Sequence, residues 1–181
     1  MPTDLSDIWW IGGVTCSGKS TLAMELATRS GRTISETDPL FDDHCHRANE
    51  LDQPSMSGHN AWKGDVRELT VKEQAEVWRN FYRERFTFIR QDLEGMENGT
   101  VAVGVDLLPD VLEGIDPFHA VWLIPTRAFF ERHYYTRDFV DKTSGDETVW
   151  EYYRYMIDHH RRQAGDRIVE PDGDTSVEVV A

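Results

Sequence analysis

Gly13-Val14-Thr15-Cys16-Ser17-Gly18-Lys19-Ser20 sets a glycine, four free positions and then Gly-Lys-Ser, a spacing that suits the cradling of a polyphosphate. Glycines let successive backbone N–H groups turn inward toward an anion, and a helix beginning at the end of the loop adds its unpaired donors and its dipole. On this reading Gly13 to Thr21 wrap the phosphates, Lys19 reaches the outer two, and the Ser20 hydroxyl coordinates Mg²⁺. The bland alternative is a glycine-rich turn that merely precedes a helix. Two carboxylates could complete the chemistry. Asp38 closes a run of alternating branched and polar residues, and Asp106 closes the apolar run Val101-Ala102-Val103-Gly104-Val105. Beside such a loop Asp106 could hold Mg²⁺ directly or through water.

The elements needed to position these residues can be read around them. Ile8-Trp9-Trp10-Ile11 is an apolar β-forming run, and Ser20 to Ala27 repeats leucine and alanine at helical spacing until Gly31. Arg32 to Asp38 reads as a second strand, stopped by Pro39, so that Asp38 lies at the strand edge where open α/β sheets bind ligands. Phe41-Asp42-Asp43-His44-Cys45-His46 holds potential metal ligands but lacks a second ligand pair, and it could equally be a solvated helical turn. Residues 49–63 read as a polar loop long enough to carry substrate contacts. Thr70-Val71-Lys72-Glu73 matches a capping box, opening an amphipathic helix that runs to about Glu94. Its expected core face is Val71, Ala75, Trp78, Tyr82, Phe86, Ile89 and Leu93, with Arg79, Arg83 and Arg90 elsewhere.

Val101 to Val105 suits a buried parallel strand, and Ala120 to Ile124 is the next, closed by Pro125. Thr126 can cap a helix carrying Arg127, Arg132 and Arg137, whose guanidinium forks are suited to neutralising a transferring phosphoryl group. Asp138 to Glu147 reads as a short lid. Glu147 to Ala164 forms a second helix whose aromatics serve the core, and Arg167 to Glu170 an edge strand before the turn at Pro171 to Asp174. Strands alternate with helices throughout, which predicts about five mostly parallel strands in a three-layer α/β domain.

At 181 residues the chain suits one domain, 1–181, rather than two. No apolar run is long enough to span a membrane, and the N-terminus lacks the basic and apolar regions of a signal peptide. Cys16 and Cys45 cannot build a disulfide framework and suit a reducing compartment, so a cytoplasmic location is expected. A monomer or homodimer is the expected state. The net charge of −14, with no basic run, argues against nucleic acid as a partner.

In the Gly13–Ser20 loop, the acids after the strands and the overall layout, the chain resembles the P-loop small-molecule kinases of the nucleoside and nucleotide kinase-like superfamily. That group includes shikimate-, gluconate- and antibiotic-phosphorylating members. The resemblance implies the three-layer P-loop NTPase fold, ATP with Mg²⁺, and transfer of the γ-phosphoryl group to a hydroxyl of a small-molecule acceptor. It further implies that Asp38 orients or deprotonates that hydroxyl, and that residues 39–95 form a helical region covering the acceptor. By the same likeness Arg132 faces adenine, Arg137 in the lid of residues 138–147 faces phosphate, and Gly173 lies against adenine. The chain departs from the group where Leu107 and Leu108 follow Asp106, since many members carry a glycine there. The alternative is a nucleotide-binding regulatory module without transfer activity, which would need no acid at Asp38.

Overall fold

The computed structural model describes residues 5–57, 69–94, 96, 99–114, 119–136 and 147–172. Its elements run β1 (Ile8–Gly13), α1 (Lys19–Ser30), β2 (Thr33–Glu36), α2 (Phe41–Arg47), α3 (Pro54–Ser57), α4 (Val71–Leu93), β3 (Thr100–Val103), β4 (Ala120–Leu123), α5 (Arg127–Tyr134), α6 (Glu147–Ala164) and β5 (Ile168–Val169). Local chemistry sets several of the boundaries. Gly31 ends α1 in the left-handed conformation at φ 70°, returning its N–H to Ala27 O. At the start of α4, Thr70 and Glu73 exchange the reciprocal bonds of a capping box. The Thr126 hydroxyl accepts from Phe129 N to open α5.

The five strands form one parallel sheet in the order β2-β3-β1-β4-β5. Alternation along the strands sends Ile11, Val101, Val103 and Leu123 to one face, against Leu22, Ala23 and Ala27 of α1. Ile8, Trp10, Ala102, Ala120 and Trp122 go to the other, against Ile89 and Leu93 of α4 and Ala164 of α6. Helices on both faces of a parallel sheet make the three layers. The large rings fit because the register puts them beside small residues: Trp10 lies level with Ala102 and Ala120, and Trp122 with Gly12. A Cβ at Gly12 would overlap the Trp122 ring and the Leu107 carbonyl, the same carbonyl to which Trp122 Nε1 donates at 2.7 Å.

Two boundaries differ from the sequence reading in ways that matter for the site. β2 ends at Glu36, so Asp38 opens a short 3₁₀ turn (Asp38–Leu40) rather than closing the strand. β3 ends at Val103, leaving Asp106 three residues beyond the sheet. The core face of α4 also differs. Its buried residues are Ala75, Phe81, Arg85, Phe88, Ile89 and Leu93, while Val71, Trp78, Tyr82 and Phe86 are only partly covered. Part of the 49–63 stretch is helical, in α3. Arg137, Gly173 and residues 138–146 of the expected lid lie outside the described residues. No described helix is long and apolar enough to cross a membrane.

Candidate functional site

The loops after β1, β2 and β3 meet beyond the C-terminal ends of the strands, the edge where open α/β sheets bind ligands. There they enclose a cavity of about 370 Å³. Its lining brings together Thr15, Cys16, Ser17, Gly18, Lys19, Ser20 and Thr21 from the first loop, Glu36 and Asp38 from the second, and Gly104 and Val105 from the third. Gly13 and Val14 line a neighbouring cavity instead.

The first loop is shaped by three left-handed residues, Gly13 at φ 128°, Cys16 at φ 59° and Gly18 at φ 89°. Gly18 is the N-cap of α1 and supplies no side-chain cap, so the donors of the first helical turn are left to a ligand or to water. Lys19 is buried, and its Nζ donates to Val14 O at 2.7 Å, which keeps the ammonium inside the curl of the loop. The Ser17 hydroxyl is buried with no hydrogen-bond partner. A curled backbone, a buried cation and an unpartnered hydroxyl together fit a polyphosphate. Ser20 is exposed and lines the cavity wall together with two exposed carboxylates, Glu36 and Asp38, a set of hard oxygen donors suited to Mg²⁺.

Asp106 is not part of that wall. Its carboxylate is 0 % exposed, with Oδ2 2.7 Å from Arg85 Nη1 in an ion pair that lies off the hydrogen-bond axis. Oδ1 accepts from the Thr37 hydroxyl at 2.6 Å. Burial pushes the Asp106 pKa up, and Arg85 and Thr37 oppose that shift. Gly104 makes the arrangement possible, because a Cβ there would overlap both Thr37 Oγ1 and Asp106 Oδ1. Arg85, itself 1 % exposed, also donates through Nη2 to the Thr37 carbonyl and through Nε to His44 Nδ1 at 3.0 Å. With Nδ1 accepting, His44 Nε2 carries the proton and donates to Asp92 Oδ2 at 2.6 Å. Burial lowers the His44 pKa, in keeping with that neutral ring, although Asp92 pulls the other way.

Thr37 is therefore held at three atoms: its N–H donates to Val103 O at 2.9 Å, its hydroxyl to Asp106, and its carbonyl accepts from Arg85. This fixes the residue immediately before Asp38. Asp38 is exposed toward the cavity, and neither the 3₁₀ turn nor α2 has a side-chain cap. Arg132 is exposed on α5 and lines neither cavity.

Sequence reasoning passed over Arg85, Thr37 and the buried role of His44. A usable signal existed for Arg85: it follows Phe81 by four residues and precedes Phe88 by three, so it shares their helix face and requires a buried acid. His44, grouped with possible metal ligands, is instead committed to Arg85 and Asp92. Among the described residues no group of three or more His, Cys, Asp or Glu side chains could hold a metal ion.

A second buried histidine gives a pH dependence. His160 on α6 is 1 % exposed, and its pKa is lowered to about 4, first by burial and then by His159, with Asp110 opposing and Arg79 reinforcing. The folded-state value lies below the ordinary 6.5, so on acidification the unfolded chain takes up the proton first. Stability is complete above pH 6.5 and is lost as the pH falls toward 4. The loss from this residue is roughly 3 kcal/mol at 1.36 kcal/mol per unit, or roughly 6–12 °C in melting temperature. His160→Phe should shrink the difference in melting temperature between pH 7 and pH 4. An undiminished difference would take His160 out of the acid response.

No protein-family model matches the chain, and no curated protein sequence matches it. Solved structures do. The fold is similar to that of an uncharacterized protein from Eubacterium ventriosum at 15 % identity and a TM-score of 0.50, covering 97 % of this chain and 96 % of that one. It is similar to a deoxyadenosine kinase from M. mycoides with bound dATP at 14 % identity and a TM-score of 0.51, covering 95 % and 94 %. A shikimate kinase from Aquifex aeolicus aligns at 18 % identity and a TM-score of 0.46, covering 96 % and 90 %. The chain thus has a three-layer α/β P-loop fold, shared with the first two of these structures.

Proposed function

We propose that the protein is an ATP-dependent phosphotransferase that moves the γ-phosphoryl group to a hydroxyl of a small-molecule acceptor. The observation that carries this reading is the single cavity lined by Lys19, Ser20 and Asp38, which joins a phosphate cradle to an exposed carboxylate. Similarity of fold to a deoxyadenosine kinase with bound dATP supports nucleotide binding. In this reading the loop from Gly13 to Thr21 binds the ATP phosphates, and Lys19 neutralises charge that builds up on the transferring group. Asp38 orients the acceptor hydroxyl and takes its proton. Mg²⁺ would be held by Ser20 together with phosphate oxygens, supplying further charge neutralisation. Asp106, sealed in its ion pair, would reach that ion only through water or through Thr37.

The remaining assignments are carried over from the kinase resemblance. Arg132 and Gly173 face adenine, Arg137 faces phosphate from a lid at residues 138–147, and residues 39–95 cover the acceptor. The protein works in the cytoplasm as a monomer or homodimer.

Lys19→Ala tests the donor half. It removes a charge aimed at phosphate without burying anything new, so Mg-ATP affinity should fall by one to two orders of magnitude, at the roughly 1.5–3 kcal/mol of a charged hydrogen bond. Calorimetric titration of wild type and variant, with melting temperatures alongside, reads the result. Equal ATP affinity in the two proteins would remove the phosphate loop from the mechanism.

A further inference from the structure

Next to the first cavity lies a second of about 250 Å³. Thr15 and Val105 line both cavities, so the two meet at the loop tip. The second differs in chemistry. Its walls are Trp78 and Tyr82 of α4, Leu108 after β3, and Met156 and His160 of α6, with no charged side chain among the described lining residues. The Trp78 and Tyr82 rings stack at 5.5 Å and 24°, presenting an aromatic surface. His160 in this wall is almost fully buried, and its two ring nitrogens both lack hydrogen-bond partners among the described residues. A buried imidazole with one unused donor and one unused acceptor is a cost to the fold unless something supplies the missing bonds.

We propose that this cavity seats the acceptor of the phosphotransferase, and that the acceptor is an uncharged small molecule with a flat ring. The ring packs against Trp78, Tyr82 and Met156, and a hydroxyl, amide or ring nitrogen on it bonds to His160. The inference rests on the kinase reading above and narrows it. A carboxylate or phosphorylated acceptor would bring a charge against a wall whose described lining residues include no cation, at a cost in desolvation. A flat neutral ring gains apolar contact on both sides and satisfies the histidine, the usual division of labour in a small-molecule pocket. Transfer itself stays balanced: the acceptor oxygen forms the new P–O bond, the bond from the γ-phosphorus to the bridging oxygen of ATP breaks, ADP leaves, and the hydroxyl proton passes to Asp38.

The test measures binding by ligand-observed NMR to the Mg-ADP-loaded protein, with adenosine and thymidine as neutral ring probes and shikimate and gluconate as anionic ones. His160→Phe removes the nitrogens and keeps a ring, while Met156→Trp fills the space and serves should the first variant fold poorly. The nucleosides should bind the wild type, each folded variant should weaken them at least tenfold, and the carboxylates should bind at least tenfold more weakly than the nucleosides. Carboxylates that bind as tightly as nucleosides, nucleosides indifferent to both variants, or no binding by any probe would each overturn the proposal. A Mg-ATP titration of the same wild-type sample keeps the two readings apart. Intact ATP binding with failed nucleosides strikes the acceptor class alone, whereas absent ATP binding strikes the phosphotransferase.

Discussion

Asp38→Asn is expected to slow phosphoryl transfer by roughly 10²–10⁴-fold, the usual worth of a general base, while Mg-ATP affinity barely moves. Asparagine keeps the size and hydrogen bonding of the side chain and removes only its charge. The structure separates this from a stability effect. Asp38 is exposed, and neither neighbouring helical segment has a side-chain cap, so the melting temperature should shift by no more than a surface substitution allows, about 0.5 kcal/mol. Turnover and melting temperature measured side by side decide the point. Full turnover would shift the catalytic assignment to Glu36, the other carboxylate on the same cavity.

Arg85→Met carries the largest expected cost in stability. Arginine at this position neutralises Asp106 and also bonds Thr37 and His44, all of them buried. Its removal leaves a fully buried carboxylate without a counter-charge, a change that typically costs about 3–5 kcal/mol. For a chain of this length that is roughly 6–20 °C in melting temperature. Adding Asp106→Asn to Arg85→Met should recover part of the loss, because it deletes the stranded charge. A single variant that melts within about 1 kcal/mol of wild type would show that the ion pair contributes little to the fold. Thr37 loses an anchor in the same variant, so any folded fraction should also turn over more slowly through a looser Asp38.

How much of this was legible in the sequence follows from the range of the interactions. The phosphate loop is contiguous, and its glycines, its lysine and the helix that starts at Lys19 all act within a few residues, so Gly13 to Ser20 reads directly. The capping box at Thr70 and the cap at Thr126 are equally local. The strand sequence was legible too, since alternating strands and helices already imply a parallel sheet, though nothing local states that β3 lies between β1 and β2.

Helix α4 shows where local reading fails. A single stripe chosen at three-to-four-residue spacing takes in Ala75, Tyr82, Phe86, Ile89 and Leu93, which pack toward the sheet and α6. The helix has a second covered face. Phe81 and Phe88 pack with Met56 and Phe41 from α3 and the start of α2, and Arg85 stands on that side. A helix covered on two sides carries two stripes, and only the tertiary partners tell them apart. Asp106 was misplaced for a related reason. Its position after an apolar run suggested a carboxylate facing the ligand, but the chain bends at Gly104 and the side chain turns beneath, toward an arginine 21 residues earlier in the sequence.

Transfer of label from γ-labelled ATP to nucleosides, sugars, cyclic hydroxy acids and aminoglycosides tests the account at its centre. Wild-type protein should place label on the hydroxyl of at least one of these acceptors, in a Mg²⁺-dependent way, and both Lys19→Ala and Asp38→Asn should abolish or sharply reduce it. Tight Mg-ATP binding with label found only in ATP or free phosphate, and the same in Asp38→Asn as in wild type, would contradict the phosphotransferase and leave a nucleotide-binding regulatory module in its place.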